Sequence, residues 1–117
     1  MKVKRIVADI AATDVAAAKA FYGDILGLEP LMDFGWVAIY GSSEMMQAQI
    51  TFASEGGSGA PAPDLSIEVD DLDEALRRVD AAGIAIAYGP ANEPWGVRRF
   101  FVRDPFGKLV NILQHQP

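Results

Sequence analysis

Asp9, Asp64 and Glu68, the amides Gln49 and Asn111, and the rings of Phe34, Trp36 and Trp95 are the residues best suited to chemistry in this chain. The usual catalytic side chains are scarce. The absence of cysteine excludes disulfides, thiolate metal centres and cysteine nucleophiles. The one histidine, His115, lies near the C-terminus and is expected in solvent. A carboxylate such as Asp64 or Glu68 acts as a general base only if its pKa is raised. The three carboxylates could instead hold a ligand cation, or pair with Arg98, Arg99 or Arg103. Trp36 and Trp95 could stack on a ligand; the alternative is a place in the core or in a subunit interface. Phe34 and Phe101 carry the same ambiguity. Met32, Met45 and Met46 could line a ligand site or fill a core.

These groups act together only if the elements carrying them place them on a common surface. Ile6, Ala8, Ile10 and Ala12 alternate with Val7, Asp9 and Ala11, a strand pattern. Asp14 is then expected to cap a helix whose apolar face is Ala18, Phe21, Tyr22 and Ile25, with Gly27 as its stop. The same order recurs later. Leu65, Ile67 and Val69 alternate with Ser66 and Glu68. Asp71 caps a second helix, Glu74 suggests a capping box, and Leu72, Ala75, Leu76 and Val79 form the apolar face before Gly83. Short strand-like segments follow each helix. They are Leu28–Met32, Trp36–Tyr40 and Met46–Ala53, then Ala85–Tyr88, Arg98–Arg103 and Leu109–Leu113. Turns are expected at Asp33–Gly35, Gly41–Ser43 and Asp104–Gly107. The Gly-, Ser- and Pro-rich stretch 54–63 reads as a flexible linker. The order is βαβββ, linker, βαβββ. One α+β domain over 1–117 is expected, with modules at about 1–53 and 64–117. Their curved mixed sheets should enclose a cleft, with the helices on the outer faces.

Alternation assigns the faces. Ile6, Ala8 and Ile10 should pack on the first helix, leaving Val7, Asp9 and Ala11 on the other side. Ile50 and Phe52 pack outward and leave Gln47, Gln49 and Thr51 inside. Leu65, Ile67 and Val69 leave Asp64, Ser66 and Glu68 inside. Val110 and Ile112 leave Leu109, Asn111 and Leu113 inside. This polar inner surface is a ligand site, a water-filled cleft or an ordinary solvated sheet face. Alternation does not choose between Arg98 and Arg99, because Arg-Arg is followed by Phe-Phe.

Composition narrows the classes. The chain has 117 residues, is 50% apolar and carries a formal charge of −6. That suits one domain with a real core and excludes a wholly disordered chain. No apolar run approaches the ~20 residues of a membrane span. Asp9 interrupts the N-terminal apolar run too early for a secretory signal, so a soluble cytoplasmic protein is expected. The acidic balance opposes a nucleic-acid partner. It could draw in a cationic ligand, or serve solubility alone.

Three stretches together resemble the vicinal-oxygen-chelate superfamily of glyoxalase I, bleomycin-resistance proteins and extradiol dioxygenases. They are Asp14-Val-Ala-Ala-Ala-Lys-Ala-Phe-Tyr22 with Leu26-Gly-Leu-Glu-Pro30, Val69-Asp-Asp-Leu-Asp-Glu-Ala75 with Gly83, and Glu93-Pro-Trp-Gly-Val-Arg-Arg-Phe-Phe-Val-Arg-Asp-Pro-Phe-Gly-Lys-Leu-Val-Asn111. The last is similar to the P-W-G-x-R-x-F…D-P-x-G ending of bleomycin-resistance-like members. The resemblance implies the fold just described and a homodimer. Metal enzymes of this superfamily place His or Glu at four inward positions, which correspond here to Val7, Gln49, Asp64 and Asn111. Catalytic zinc wants three good ligands, and non-haem Fe(II) two His and a carboxylate. The correspondence therefore implies no metal cofactor. An oxygen-only site for a hard ion at Asp64, Gln49 and Asn111, helped by Asp9 and Glu68, is the lesser option. The function implied is metal-independent binding of a small aromatic or cationic molecule, such as an antibiotic or toxin. Its candidate residues are Phe34, Trp36, Gln49, Asp64, Glu68, Trp95 and Asn111. The alternatives are a metal-dependent glyoxalase- or dioxygenase-type enzyme, a metal-free enzyme using Asp64 or Glu68 as base, and an interaction protein without a small ligand. No nucleic-acid or membrane partner is implied.

Overall fold

The computed structural model describes residues 1–25, 27–42 and 49–117, with the side chains of Phe21 and Ile25 set aside. Leu26, Met45, Met46 and Gln47 lie outside the described residues, as does the start of the strand expected from Met46. The chain divides into two compact units: Val7–Ala62, and Pro63–Pro117 together with Met1–Ile6. Strand β1 (Val3–Ala11) contributes to both.

In the N-terminal unit, β2 (Glu29–Asp33), β3 (Val37–Gly41), β4 (Gln49–Ala53) and β1 lie in that order. β1 runs parallel to β4, with Ala8 opposite Ile50 and Ile10 opposite Phe52. The other neighbours are antiparallel. The helix expected after Asp14 forms differently. A 3-10 turn at Val15–Ala17 leads into a π-wound segment, Lys19–Ile25. Asp14 stands at the N-cap position but makes no side-chain capping bond. The i, i+4 pair Ala18 and Tyr22 still meets the core, because apolar spacing selects a face without dictating the hydrogen-bond step. Tyr22 lies against Phe52 with ring centroids 4.7 Å apart. Val15, Ala38, Tyr40 and Phe52 complete this core.

The helical segment covers β3 and β4 rather than β1. Ile6 and Ile10 were expected to pack on a helix and are instead 62% and 40% exposed, while Val7 is buried. The stretch expected as a flexible linker holds a defined turn. Gly56 donates to the Ala60 carbonyl at 2.7 Å, and Ala60 to that of Gly57 at 2.9 Å.

In the C-terminal unit, β5 (Leu65–Val69), β8 (Leu109–His115), β7 (Val97–Arg103) and β6 (Ile86–Glu93) lie in that order. β5 runs parallel to β8, and the remaining pairs are antiparallel. Helix α1 (Leu72–Ala81) packs Leu72 and Ala75 against Val69, Phe100, Val102 and Val110. Its caps are local chemistry. Asp71 accepts from the Glu74 N–H at 3.0 Å. The reciprocal half of the expected capping box does not form, because the Glu74 carboxylate is taken by Arg77 and Arg78. At the other end Gly83 takes φ +71°, while Ile84 donates to Val79 and Gly83 to Asp80, the pairing of a Schellman motif. Among the described residues no helix is long and apolar enough to cross a membrane.

Candidate functional site

The hairpin joining β7 to β8 sets which side chains share the face opposite α1. Asp104 accepts from the N–H groups of Phe106 (2.8 Å) and Lys108 (2.9 Å), closing the Asp104–Gly107 turn. The turn fixes the register, with Val102 opposite Val110 and Phe101 opposite Asn111. Val102 and Val110 pack on α1, so Arg99, Phe101, Asn111 and Leu113 lie on the other face. β5 adds Ser66 beside Asn111 and Glu68 beside Leu113. β6 adds Tyr88 beside Phe101 and Glu93 beside Val97.

Arg99 is the inward arginine. Its guanidinium lies 4.8 Å from the Phe101 ring centroid, 5.0 Å from Trp95 and 5.2 Å from Tyr88. Its side chain is 4% exposed, and Nε lies 3.5 Å from Oε1 of Glu93, itself 2% exposed. Tyr88 Oη donates to the same Glu93 oxygen at 2.6 Å. Cation–π attraction strengthens when the cation is desolvated, and each charge here compensates the other. Arg98 projects to the opposite side and pairs with Asp73 of α1 at 2.8 Å.

Glu68 is buried and held by Arg5, Lys4 and His115. Arg5 Nε lies at 2.8 Å, His115 Nδ1 at 3.2 Å and Lys4 Nζ at 3.4 Å. Burial pushes its carboxyl up, but Arg5 and His115 outweigh that and hold it below its ordinary value. A carboxylate so held is a poor general base at neutral pH. His115, expected in solvent, is half-exposed and tied to this cluster. Asp64 is exposed, and its carboxylate accepts from the Leu109 N–H at 2.8 Å, fastening the start of β5 to β8. Asn111 is 7% exposed. Its Nδ2 donates to Ser66 Oγ at 3.1 Å, while Oδ1 is buried and has no hydrogen-bond partner among the described residues.

One face of the C-terminal unit thus brings together Glu68, Trp95 and Asn111, with Asp64 at the edge of β5. The remaining candidates belong to the N-terminal unit. Gln49 and Thr51 share the face of β4 that turns away from Phe52, and Asp9 lies opposite Thr51. Phe34, 51% exposed, and the half-buried Trp36 flank Gly35 between β2 and β3. Glu93 and Tyr88 were not singled out from sequence, and the choice between Arg98 and Arg99 was left open. The four-residue hairpin turn, counted back from Val110, is the signal that places Arg99 on the face opposite α1.

The superfamily's metals were tested against the donor set. Val7 is apolar and buried, Gln49 and Asn111 are amides, and Asp64 already serves a backbone N–H. Glu68 is already engaged by Arg5, Lys4 and His115. No three of these can give zinc or iron its nitrogen- and carboxylate-rich shell, so the residues do not fit such a metal. Among the described residues no cluster of three or more His, Cys, Asp or Glu could hold a metal ion.

A family model described as Glyoxalase/Bleomycin resistance protein/Dioxygenase superfamily matches residues 2–112. The chain belongs to this superfamily. A protein titled NAD-dependent benzaldehyde dehydrogenase from Legionella pneumophila superposes with TM-score 0.77 at 18% identity, over 96% of this chain and 100% of that one. Methylmalonyl-CoA epimerase from Mycobacterium tuberculosis superposes with TM-score 0.70 at 21% identity, over 98% and 90%. A superfamily member from Vibrio splendidus 12B01 gives TM-score 0.65 at 19% identity, over 97% and 99%. At these identities the likeness is one of fold. Among curated proteins nothing matches. The α+β glyoxalase/bleomycin resistance fold expected from the motifs is the fold observed.

Proposed function

We propose that this superfamily member binds a small aromatic molecule without a metal, on the face of the C-terminal unit opposite α1. One observation carries the reading: Tyr88, Trp95 and Phe101 gather around a charge-compensated Arg99, next to the buried Asn111 amide. Phe101 is fully buried, so the half-buried Tyr88 and Trp95 are the rings that offer stacking, beside a charge-compensated cation with little net charge. Glu68, Glu93 and Asp64 each already have a partner, so the reading narrows from an aromatic or cationic ligand to an uncharged aromatic one. Sequestration of an antibiotic or toxin in the cytoplasm is the role this gives the chain. Phe34, Trp36 and Gln49, which belong to the N-terminal unit, are not assigned to this face. The reading takes the chain as a homodimer, supported by the exposed apolar side chains Val3, Ile6 and Ile10 on β1.

The test uses the Trp36→Phe variant, which leaves Trp95 as the sole tryptophan, excited selectively over the tyrosines. Indole-sized neutral aromatics should quench Trp95 saturably and raise Tm, and 1-methylquinolinium should bind no better. The metal-dependent enzyme is the competing reading. Stoichiometric zinc, iron or manganese in the purified protein by elemental mass spectrometry, or no response to any aromatic, would sink the proposal.

A further inference from the structure

Asn111 Oδ1 is an acceptor with nothing to accept. The side chain is 7% exposed, and its Nδ2 is committed to Ser66 Oγ at 3.1 Å. The oxygen is buried and has no hydrogen-bond partner among the described residues. Its neighbours two residues away on the same face of β8, Leu109 and Leu113, are buried and apolar, and its cross-strand neighbour is Phe101. None of these three side chains has a hydrogen to give. A buried carbonyl oxygen left in this state destabilises the fold unless something completes it. It lies beside the rings that the proposed function assigns to stacking, since Phe101 meets Tyr88 edge-on at 5.1 Å.

We infer that Asn111 is the specificity-determining acceptor of this site, so that the preferred ligand is an uncharged aromatic bearing an N–H or O–H donor at its edge. The inference rests on the proposed aromatic-binding function and adds the hydrogen-bonding class of the ligand. A ligand ring that stacks on the half-buried Tyr88 or Trp95 and displaces the packing over the fully buried Phe101 directs its donor at Oδ1, and the bond forms where water competes poorly. A matched ring whose donor is methylated stacks as well but leaves the oxygen orphaned, and sites with a buried polar group discriminate strongly against such analogues. A charged ring is disfavoured because its desolvation finds no uncommitted counter-charge.

The experiment compares indole with 1-methylindole, and 2-naphthol with 2-methoxynaphthalene, by calorimetric titration of the full chain at neutral pH. The wild type should bind each donor about tenfold tighter than its methylated partner. Asn111→Leu should bind all four with the ratio near one. Side-chain amide NMR of the wild type gives a second readout that needs no variant: the Asn111 NH2 signals should move with indole and much less with 1-methylindole. Equal or reversed preference in the wild type overturns the inference, and so does a preference that survives in Asn111→Leu. In those cases the aromatic-binding reading still stands, because the rings bind. If none of the four probes binds, that reading fails and takes this inference with it.

Discussion

Glu93 and Arg99 are withdrawn from solvent together, so removing either strands the other. Glu93→Gln should cost about 3–5 kcal/mol, read as a lower urea midpoint, with Trp95 emission shifting to the red as the stack loosens. Arg99→Lys keeps the charge but loses the planar group that meets Tyr88, Trp95 and Phe101, and it should also destabilise. Glu68 gives a pH dependence with a definite sign. Burial raises its pKa, Arg5 and His115 lower it more, and the folded value lies below the unfolded one. Its stabilisation is therefore present above the unfolded pKa, about 4.5, and is lost as pH falls through the lowered folded value. Tm measured from about pH 6 down to about pH 3 should fall less steeply in Glu68→Gln than in the wild type. At pH 7 the same variant should be less stable by about 1–2 kcal/mol, because Arg5 loses its charged acceptor.

The two helical segments show what element-scale chemistry determines. α1 is bounded by an aspartate N-cap and a glycine that supplies the left-handed residue of its Schellman turn, and both were legible in sequence. Asp71→Ala should cost about 1 kcal/mol by urea unfolding. Gly83→Ala should cost a similar ~1 kcal/mol, because alanine is strained at positive φ. The first helical segment was legible only as an apolar face. Ala18 and Tyr22 meet the core of β3 and β4, but the winding is 3-10 and then π, and the Asp14 cap did not form. On β6, a Cβ at Gly89 would lie 2.7 Å from the Arg99 carbonyl oxygen. Gly89→Ala should therefore push β6 off β7, lower Tm and disturb Trp95.

At the scale of the whole molecule, the net charge of −6 is not a measure of what the C-terminal face offers a ligand. The carboxylates there are already met by Arg5, Lys4, His115, Arg99 and the Leu109 N–H. Added Zn(II), Mn(II) or Mg(II) should leave Tm unchanged, since no donor set on this face suits them; a saturable rise with any of them would count against the donor analysis. Sedimentation velocity checks the proposed homodimer. A dimer should dissociate on Ile6→Glu or Ile10→Glu, since both side chains are exposed on β1 and a buried charge without a partner opposes association.

The sequence by itself determined the faces of β4, β5 and β8, the Asp71 and Gly83 ends of α1, the Asp104–Gly107 turn and the superfamily, but not the face of β1 that packs inward or which of Arg98 and Arg99 does. Each rests on a short-range rule: side chains alternate along a strand, a cap reaches a few residues, and a tight turn fixes the pairing that follows it. The tertiary structure alone decided who meets each charge. Glu68 is engaged by Lys4 and Arg5 near one end of the chain and His115 near the other, and Arg99 is enclosed by rings from β6, β7 and the turn between them. It also left Asn111 Oδ1 without a hydrogen-bond partner among the described residues. Those outcomes depend on which strands become neighbours and how closely they pack, and no local pattern of residues encodes the distance between groups far apart along the chain.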